Sequence, residues 1–199
     1  MKQLLVDYLP FQISPQQISE SMISNNGKLL VKGVLQRADA KNQNGRKYPK
    51  HILTREAQKY MELIKQRRAL GELDHPDSSV INLNNVSHNI VDMQWNGNDL
   101  IGTVEVLTTP AGNILRELFK SGITLGISSR GMGSVRELGE GALEVQEDFD
   151  LICFDFVSNP STHGAFLRPV NESVNKGLIT PVNKYGKVNR IITDILSDF

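Results

Sequence analysis

The chain has little cysteine, no excess of either charge and no long apolar run, and each shortage excludes a class of protein. A single cysteine, Cys153, occurs in 199 residues, so no intrachain disulfide can form and a reducing, cytosol-like compartment is expected. Lysine plus arginine equals aspartate plus glutamate at 22 each, which argues against nucleic acid as the main partner. No apolar run approaches the roughly 20 residues that a membrane-spanning helix needs. The N-terminus also lacks the apolar core of a secretory signal.

Short apolar runs and alternating apolar residues predict a mostly β domain with two helices. Strands are expected over residues 28–38, 69–73, 86–95, 100–107 and 149–157, and on both sides of Ser128. Apolar residues at helical spacing from Leu53 to Ile64 predict an amphipathic helix that ends near residue 68. A second helix is expected to begin at Thr109-Pro110, with the threonine as its cap. The predicted fold class is α+β, mostly β: a β-barrel or sandwich with helices packed outside.

The two ends of the chain differ in composition from the middle. Residues 1–27 are rich in Gln, Ser and Asn, contain two prolines and end in the turn signal Asn25-Asn26-Gly27. We therefore expect a flexible, loosely attached N-terminal segment. From Asn171 onward the chain is polar, and only residues 191–196 suggest a short helix. This part, 171–199, is expected to be a C-terminal extension.

Residues 126–131, Gly-Ile-Ser-Ser-Arg-Gly, have the composition of a nucleophile site. Two hydroxyls and a guanidinium lie between two glycines, which offer backbone freedom and free amides that could stabilise an oxyanion. Ser128 is the candidate nucleophile, and Ser129 is an equal chemical candidate. Arg130 could shape the oxyanion loop or bind an acidic substrate side chain, and Ser129–Gly131 could supply oxyanion amides. In the alternative, purely structural interpretation, Ser128 and Ser129 are hydroxyls at a strand end, the glycines mark a bulge and Arg130 lies at the surface.

A serine nucleophile needs a neighbouring base, and His75 is the candidate, 53 residues upstream of Ser128. Pro76 prevents the loop from continuing as helix or central strand and so holds His75 at a strand end. A third group would orient the imidazole. Asp155 interrupts an apolar segment, where a carboxylate is costly to bury unless it is paired. Its rivals for this role are Asp150, His88 and His163.

Two other interpretations of the His75 region are weaker. The tripeptide His75-Pro76-Asp77 also occurs in J-domain cochaperones, but there it joins two helices, whereas residues 80–95 alternate as a strand does. Asp74, Asp77 and His88 could join His75 as metal ligands, yet their spacing matches no standard zinc pattern. We expect neither a metal nor an organic cofactor, and a metal-dependent hydrolase remains a less favoured alternative.

Five segments, in order along the chain, together resemble one family. They are residues 44–49 (NGRKYP), 71–76 (GELDHP), 95–99 (WNGND), 126–134 (GISSRGMGS) and 154–161 (FDFVSNPS). The chain resembles the prohead core proteases of T-even-type tailed bacteriophages, serine peptidases distantly related to herpesvirus assemblin. The resemblance covers roughly residues 28–170, which are expected to form the protease domain.

The resemblance implies an assemblin-like β-barrel wrapped by helices, with His75 as base and Ser128 as nucleophile. Assemblins use a second histidine as the third member, and Asp155 lies in the comparable strand here. The implied function is degradation of the internal scaffold and trimming of the major capsid protein inside the prohead, in the host cytoplasm. We also expect a homo-oligomer with no direct contact to membrane or nucleic acid. A non-catalytic scaffold or assembly protein of the same fold is the main alternative.

Proteases of this group resemble one another in cleaving after Glu in a Leu/Ile-x-Glu sequence. Ile18-Ser19-Glu20 fits that pattern within the N-terminal segment. We therefore hypothesise that the segment is an autoinhibitory propeptide that is released by cleavage between Glu20 and Ser21. A Glu at the cleavage site would require a basic pocket, for which Arg130 is one candidate.

Overall fold

The computed structural model describes residues 3–11, 15–139, 141–158 and 168–169. Strands and helices occur in the following order along these ranges: β1 Gln3–Phe11, α1 Pro15–Ser24, β2 Leu29–Arg37, β3 Arg46–Lys47, α2 Lys50–Lys65, β4 Leu70–Glu72, β5 Val86–Asn96, β6 Asp99–Val106, α3 Pro110–Lys120, β7 Leu125–Gly133, β8 Val135–Gly139, β9 Ala142–Val145, β10 Asp150–Val157 and β11 Arg168–Pro169. The predicted α+β, mostly β fold class is confirmed.

The strands of these ranges form three sheets. β7 is the middle strand of a three-stranded antiparallel sheet in the order β1-β7-β10, and a five-stranded sheet has the order β11-β2-β6-β5-β4. A small third sheet contains β3, β9 and β8. Leu73, directly after β4, forms a parallel bridge with Phe156 of β10 and so joins the first two sheets. Within the described residues the strands therefore form three sheets, of which the first two are joined by this bridge, and no closed barrel is found.

The main core lies where the first two sheets meet α2 and α3. Tyr60 of α2 contacts Phe154 edge to face at a ring distance of 5.5 Å, and Phe119 of α3 contacts Phe156 in the same way at 5.5 Å. All four rings are buried, and each contributes roughly 1.5–3 kcal/mol relative to an exposed ring. These contacts fix β10, and with it Asp155, against both helices.

Residues 3–11 and 15–24 form β1 and α1, two regular elements that the composition of residues 1–27 did not predict. β1 pairs with β7 along its whole length, and α1 follows it. Leu5 and Ile18 are 0% and 1% exposed, so apolar burial holds both elements in place. The proposed scissile bond, Glu20–Ser21, lies inside α1. The other terminal prediction, an extension over 171–199, lies outside the described residues.

Candidate active site

Ser128 and Asp155 lie opposite each other on neighbouring strands. In the pairing of β7 with β10, Ser128 registers with Asp155, and Arg130 registers with Cys153. Residues that are directly opposite, or two apart on one strand, project to the same face of a sheet. The side chains of Ser128, Arg130, Cys153 and Asp155 therefore share one face, and all four are buried.

Asp155 joins the polar groups of this face. Its Oδ1 accepts hydrogen bonds from the Glu72 amide at 3.0 Å and from Arg130 Nη2 at 3.2 Å. Its Oδ2 lies 2.9 Å from Arg130 Nε and 3.5 Å from His75 Nδ1. Burial raises the pKa of Asp155, although the Glu72 amide and the Arg130 cation act in the opposite direction. The carboxylate is thus held between a permanent cation and the imidazole.

His75 lies in a loop that is attached to β10. Asp74 has φ = 70°, a left-handed conformation that Asp adopts more readily than most residues. Its amide donates to the Phe156 carbonyl at 2.8 Å, which places the following histidine beside β10. Burial, and next the positive charge of Arg130, lower the pKa of His75 to about 4. The imidazole is therefore neutral at neutral pH, the form that can accept a proton.

Ser128 and Ser129 project to opposite faces of β7. Ser128 shares the face of Asp155, and its Oγ donates to the Ser129 carbonyl at 3.4 Å. Ser129 projects to the other face, where its Oγ accepts a hydrogen bond from Gln36 Nε2 at 2.8 Å. The residue types alone left the two serines equivalent, and the register of the sheet distinguishes them: Ser128 is the one on the side of Asp155.

The Arg130 side chain contacts several buried groups around Asp155. It is fully buried, and its Nη2 donates to Glu72 Oε1 at 2.7 Å while its Nη1 donates to the Ser78 carbonyl at 2.8 Å. With the contacts to Asp155, these bonds commit the guanidinium to groups of the protein itself. In this conformation the guanidinium is held by Glu72, Asp155 and the Ser78 carbonyl.

The glycines around Ser128 do not provide the backbone freedom that we expected. β7 runs without interruption from Leu125 to Gly133, so Ser128 lies within a strand. A Cβ on Gly131 would lie 2.5 Å from a ring carbon of Phe149. Close packing, and not a turn, therefore requires glycine at this position.

The rivals for the third position lie elsewhere or outside the described residues. Asp150 is exposed and forms an ion pair with a lysine of α2 at 3.6 Å. His88 is fully buried, with its Nε2 2.9 Å from a backbone carbonyl of β10, and burial lowers its pKa to about 4. His163 lies outside the described residues. Of the carboxylates weighed from the sequence, Asp155 is the one beside His75.

Sequence reasoning gave no role to Glu72, which completes the buried charge cluster. Its side chain is 0% exposed, and its Oε1 accepts from Arg130 and, at 3.1 Å, from the Asn82 amide. A glutamate inside a short apolar strand next to His75 was the available signal. The thiol of Cys153 lies beside this cluster and is also buried. Arg130 Nε lies 3.2 Å from its Sγ, and burial raises the pKa of the thiol.

The described ranges contain no group of three or more His, Cys, Asp or Glu side chains that could hold a metal ion. The set weighed from the sequence is therefore not gathered: His88 is fully buried on β5, whereas Asp74 and Asp77 are exposed in the His75 loop. Within the same ranges, no helix is long and apolar enough to cross a membrane.

Comparisons with known proteins give a consistent result. The chain is 35% identical over 145 residues to the prohead core protein protease of Enterobacteria phage T4, covering 71% of this chain and 68% of that protein. Among solved structures, it is similar to the capsid assembly protease gp21 of bacteriophage T4, with a TM-score of 0.69 and 28% identity. That similarity covers 80% of this chain and 99% of the other.

The sequence model of the family described as prohead core protein serine protease matches residues 12–175. This range takes in β4, β7 and β10 and the loop after β4, which together carry His75, Ser128 and Asp155. Because the match spans most of the chain and a relative above 30% identity is covered over two thirds of its length, the chain belongs to the prohead core protein serine protease family.

Proposed function

We propose that this protein is a serine endopeptidase that degrades the internal scaffold and trims capsid proteins inside a phage prohead. Family membership supports peptidase activity, and the named relatives are proteases of the prohead core and of capsid assembly. The observation that carries the assignment of residues is the position of Asp155, in register with Ser128 and 3.5 Å from His75 Nδ1. Ser128 is the nucleophile, His75 the general base and Asp155 the residue that orients His75.

The chemistry follows from these three groups. Ser128 Oγ attacks the scissile carbonyl while its proton passes to His75 Nε2, and the peptide nitrogen then takes that proton as it leaves. Water hydrolyses the acyl-enzyme by the same proton path in reverse. Asp155, on the Nδ1 side, stabilises the imidazolium that forms. A base with a pKa of about 4 is a weak one, so we expect the imidazole and Asp155 to draw closer when substrate binds.

The closed state of the site supports an activation step. Ser128 is 0% exposed, so a substrate carbonyl cannot reach its Oγ in this conformation. Cleavage after Glu20, in the Ile18-Ser19-Glu20 sequence, would separate β1 from the rest of the chain and could free the edge of β7. Ser21 is fully buried within α1, and its Oγ donates to the Leu30 carbonyl. Because proteases bind extended peptides, α1 must unwind before this bond is cut.

The test uses wild type, Ser128→Ala and, as matched control, Ser129→Ala, each incubated with a peptide that contains Leu-x-Glu. We expect wild type and Ser129→Ala to cut the peptide after Glu and to lose an N-terminal fragment ending at Glu20, as measured by intact mass. Ser128→Ala should do neither. Cleavage by Ser128→Ala would reject the proposed nucleophile. Absence of cleavage by every variant, including after scaffold proteins are added, would favour a non-catalytic assembly protein.

A further inference from the structure

A second buried carboxylate lies on the N-terminal strand. Asp7 of β1 is 1% exposed, and three side chains of the segment before α2 bind it. Tyr48 Oη donates to Asp7 Oδ2, Asn44 Nδ2 donates to Oδ1 at 2.9 Å, and Arg46 Nη1 lies 3.5 Å from Oδ1. Two neutral donors and one cation therefore surround a single carboxylate. We call Asn44, Arg46 and Tyr48 the acid pocket.

The acid pocket is built by contacts that do not involve Asp7. Asn42 Oδ1 accepts hydrogen bonds from the amides of Asn44 at 3.0 Å and Arg46 at 2.9 Å, which fixes the turn. Gly45 completes that turn with φ = 73°, a conformation that favours glycine. The Tyr48 ring packs edge to face on Phe149 at 5.3 Å. The donors are thus preorganised and could receive a carboxylate from another chain.

β1 passes Ser128 in the way that an extended substrate would. It runs antiparallel to β7, with Asp7 in register with Ser129 and Tyr8 in register with Ser128. The Asp7–Tyr8 peptide bond therefore lies beside the backbone of the proposed nucleophile. An extended peptide that adds to a sheet edge is bound by main-chain hydrogen bonds, and pockets for alternate side chains give specificity.

The residue two positions before Asp7 is buried in an apolar cluster. Leu5 is 0% exposed and lies in an apolar cluster with Tyr48, Ile52 and Phe149. Because alternate residues of a strand share a face, Leu5 and Asp7 project to the same side of β1. β1 therefore presents an apolar residue, any residue and then an acid, Leu5-Val6-Asp7, in the order of the Leu/Ile-x-Glu sequence.

We propose that the edge of β7 and the acid pocket form the substrate cleft of this protease, and that β1 is its internal occupant. The acid pocket selects an acidic residue immediately before the scissile bond, and the cluster around Leu5 selects an apolar residue two positions earlier. This inference rests on the proposed function for the position of the scissile bond. Arg130, buried among Glu72 and Asp155, leaves Arg46 as the cation that meets the substrate acid.

The pocket chemistry predicts strong discrimination between Glu and Gln. A Gln side chain has no charge to pair with Arg46, and its NH₂ group would face the donors of Asn44 and Tyr48. Charge-assisted hydrogen bonds are about twice as strong as neutral ones, so a Glu peptide should bind roughly 10- to 100-fold more tightly than its Gln counterpart. Tyr48→Phe removes one donor, keeps the ring on Phe149 and should reduce that ratio.

The experiment measures binding in the full-length Ser128→Ala protein, so it does not depend on catalysis. Labelled peptides containing Leu-Ala-Glu or Leu-Ala-Gln are titrated by fluorescence anisotropy, and hydrogen exchange of the β1 amides is followed as the peptide saturates. We expect the Glu peptide to bind more tightly and to abolish protection in β1. Adding Asp7→Asn weakens the internal occupant and should increase Glu-peptide affinity. Glu117→Gln, which alters an exposed ion pair with Lys120 on α3, should change neither result.

Three outcomes would overturn the inference: saturating peptide with unchanged β1 protection, an unchanged Glu/Gln ratio in Tyr48→Phe, or no binding even after Asp7→Asn. The proposed function fails by a different result, namely cleavage that persists in Ser128→Ala or is absent from the wild type. The two proposals can therefore be rejected separately.

Discussion

Replacing Arg130 with methionine tests whether this side chain is the structural centre of the active site. Arg130 is fully buried between Glu72 and Asp155, which are also fully buried. Methionine fills similar space without charge, so two carboxylates lose their cation. Removing one partner of a buried ion pair costs about 3–5 kcal/mol. We expect urea unfolding at pH 7 to give a loss of this size.

The loss of unfolding free energy in Arg130→Met should be smaller at acidic pH. Without Arg130, the pKa of Asp155 in the folded variant lies further above the unfolded value of about 3.9, because burial already raises it. A carboxyl with a raised folded pKa takes up a proton more readily when folded, so its destabilising effect is full at pH 7 and declines as the pH falls toward that unfolded value. The difference from wild type should therefore narrow between pH 7 and pH 5.

Arg37→Met is the matched control, since Arg37 pairs with Asp99 while their side chains are 34% and 27% exposed. An exposed pair of this kind contributes about 0–1 kcal/mol. Adding Asp155→Asn to Arg130→Met should recover part of the loss, because one uncompensated charge disappears. If Arg130→Met costs no more than Arg37→Met, or if its deficit is independent of pH, the buried charge cluster does not organise the site.

Four further predictions follow from the same contacts. Asp155→Asn should lower kcat on a Leu-x-Glu peptide by roughly 10³-fold or more, with little change in KM. Because the pKa of His75 is about 4, kcat/KM should stay level from pH 7 to pH 5 and fall below that, and an acid limb near 6.5 would contradict the burial of this imidazole. The pKa of His88 is about 4 in the folded protein and about 6.5 in the unfolded chain, so neutral His88 favours the folded state fully above pH 6.5. Urea unfolding should therefore show a loss of about 3 kcal/mol from this residue between pH 6.5 and pH 4, and His88→Gln should remove that pH-dependent loss. Gly131→Ala should cost about 1–3 kcal/mol in the same assay, because its Cβ would collide with Phe149.

Elements with strong local signals were predictable from the sequence. Thr109 caps α3 as expected, its Oγ1 accepting from the Gly112 amide at 3.1 Å, and Gly122 follows the helix with φ = 72°. Apolar residues occupy alternate positions up to Ile90 and then resume at Val91, and the pairing of β5 with β6 is irregular at this point, between Ile90 and Asp92. In each case the deciding interaction joins residues that are close in sequence.

β1 and α1 were missed because distant partners stabilise them. The apolar residues Leu4, Leu5 and Val6 are consecutive and Pro10 follows, so no clean alternation marks a strand. The pairing of β1 is with β7, more than a hundred residues later in the chain. A polar composition is a weak guide when a few side chains, such as Leu5 and Ile18, find buried positions.

The candidate site, too, was partly predictable from local signals and partly dependent on contacts between residues distant in sequence. Residue types and loop signals led to the proposal of His75 and a serine in the pair 128–129, since nucleophilic chemistry needs a base and a hydroxyl. The choice of Ser128 over Ser129 depends on the register of β7 against β10, which the sequence does not show. The role of Arg130 depends on Glu72, 58 residues away, and a surface arginine looks the same in sequence as a buried one.

If β1 occupies the substrate cleft, the same contacts keep the protease inactive before substrate binds and select which substrates can bind. Opening the cleft breaks the main-chain pairing of β1 with β7 and removes the Asp7 carboxylate from three donors. A substrate strand restores the main-chain bonds whatever its sequence, but it restores the pocket contacts only with an acid in the right position. The free energy of replacing β1 by a substrate strand is therefore near zero for a matching sequence and unfavourable for other sequences. A scaffold protein at high local concentration inside a prohead would shift that balance by mass action, whereas a dilute host protein would not.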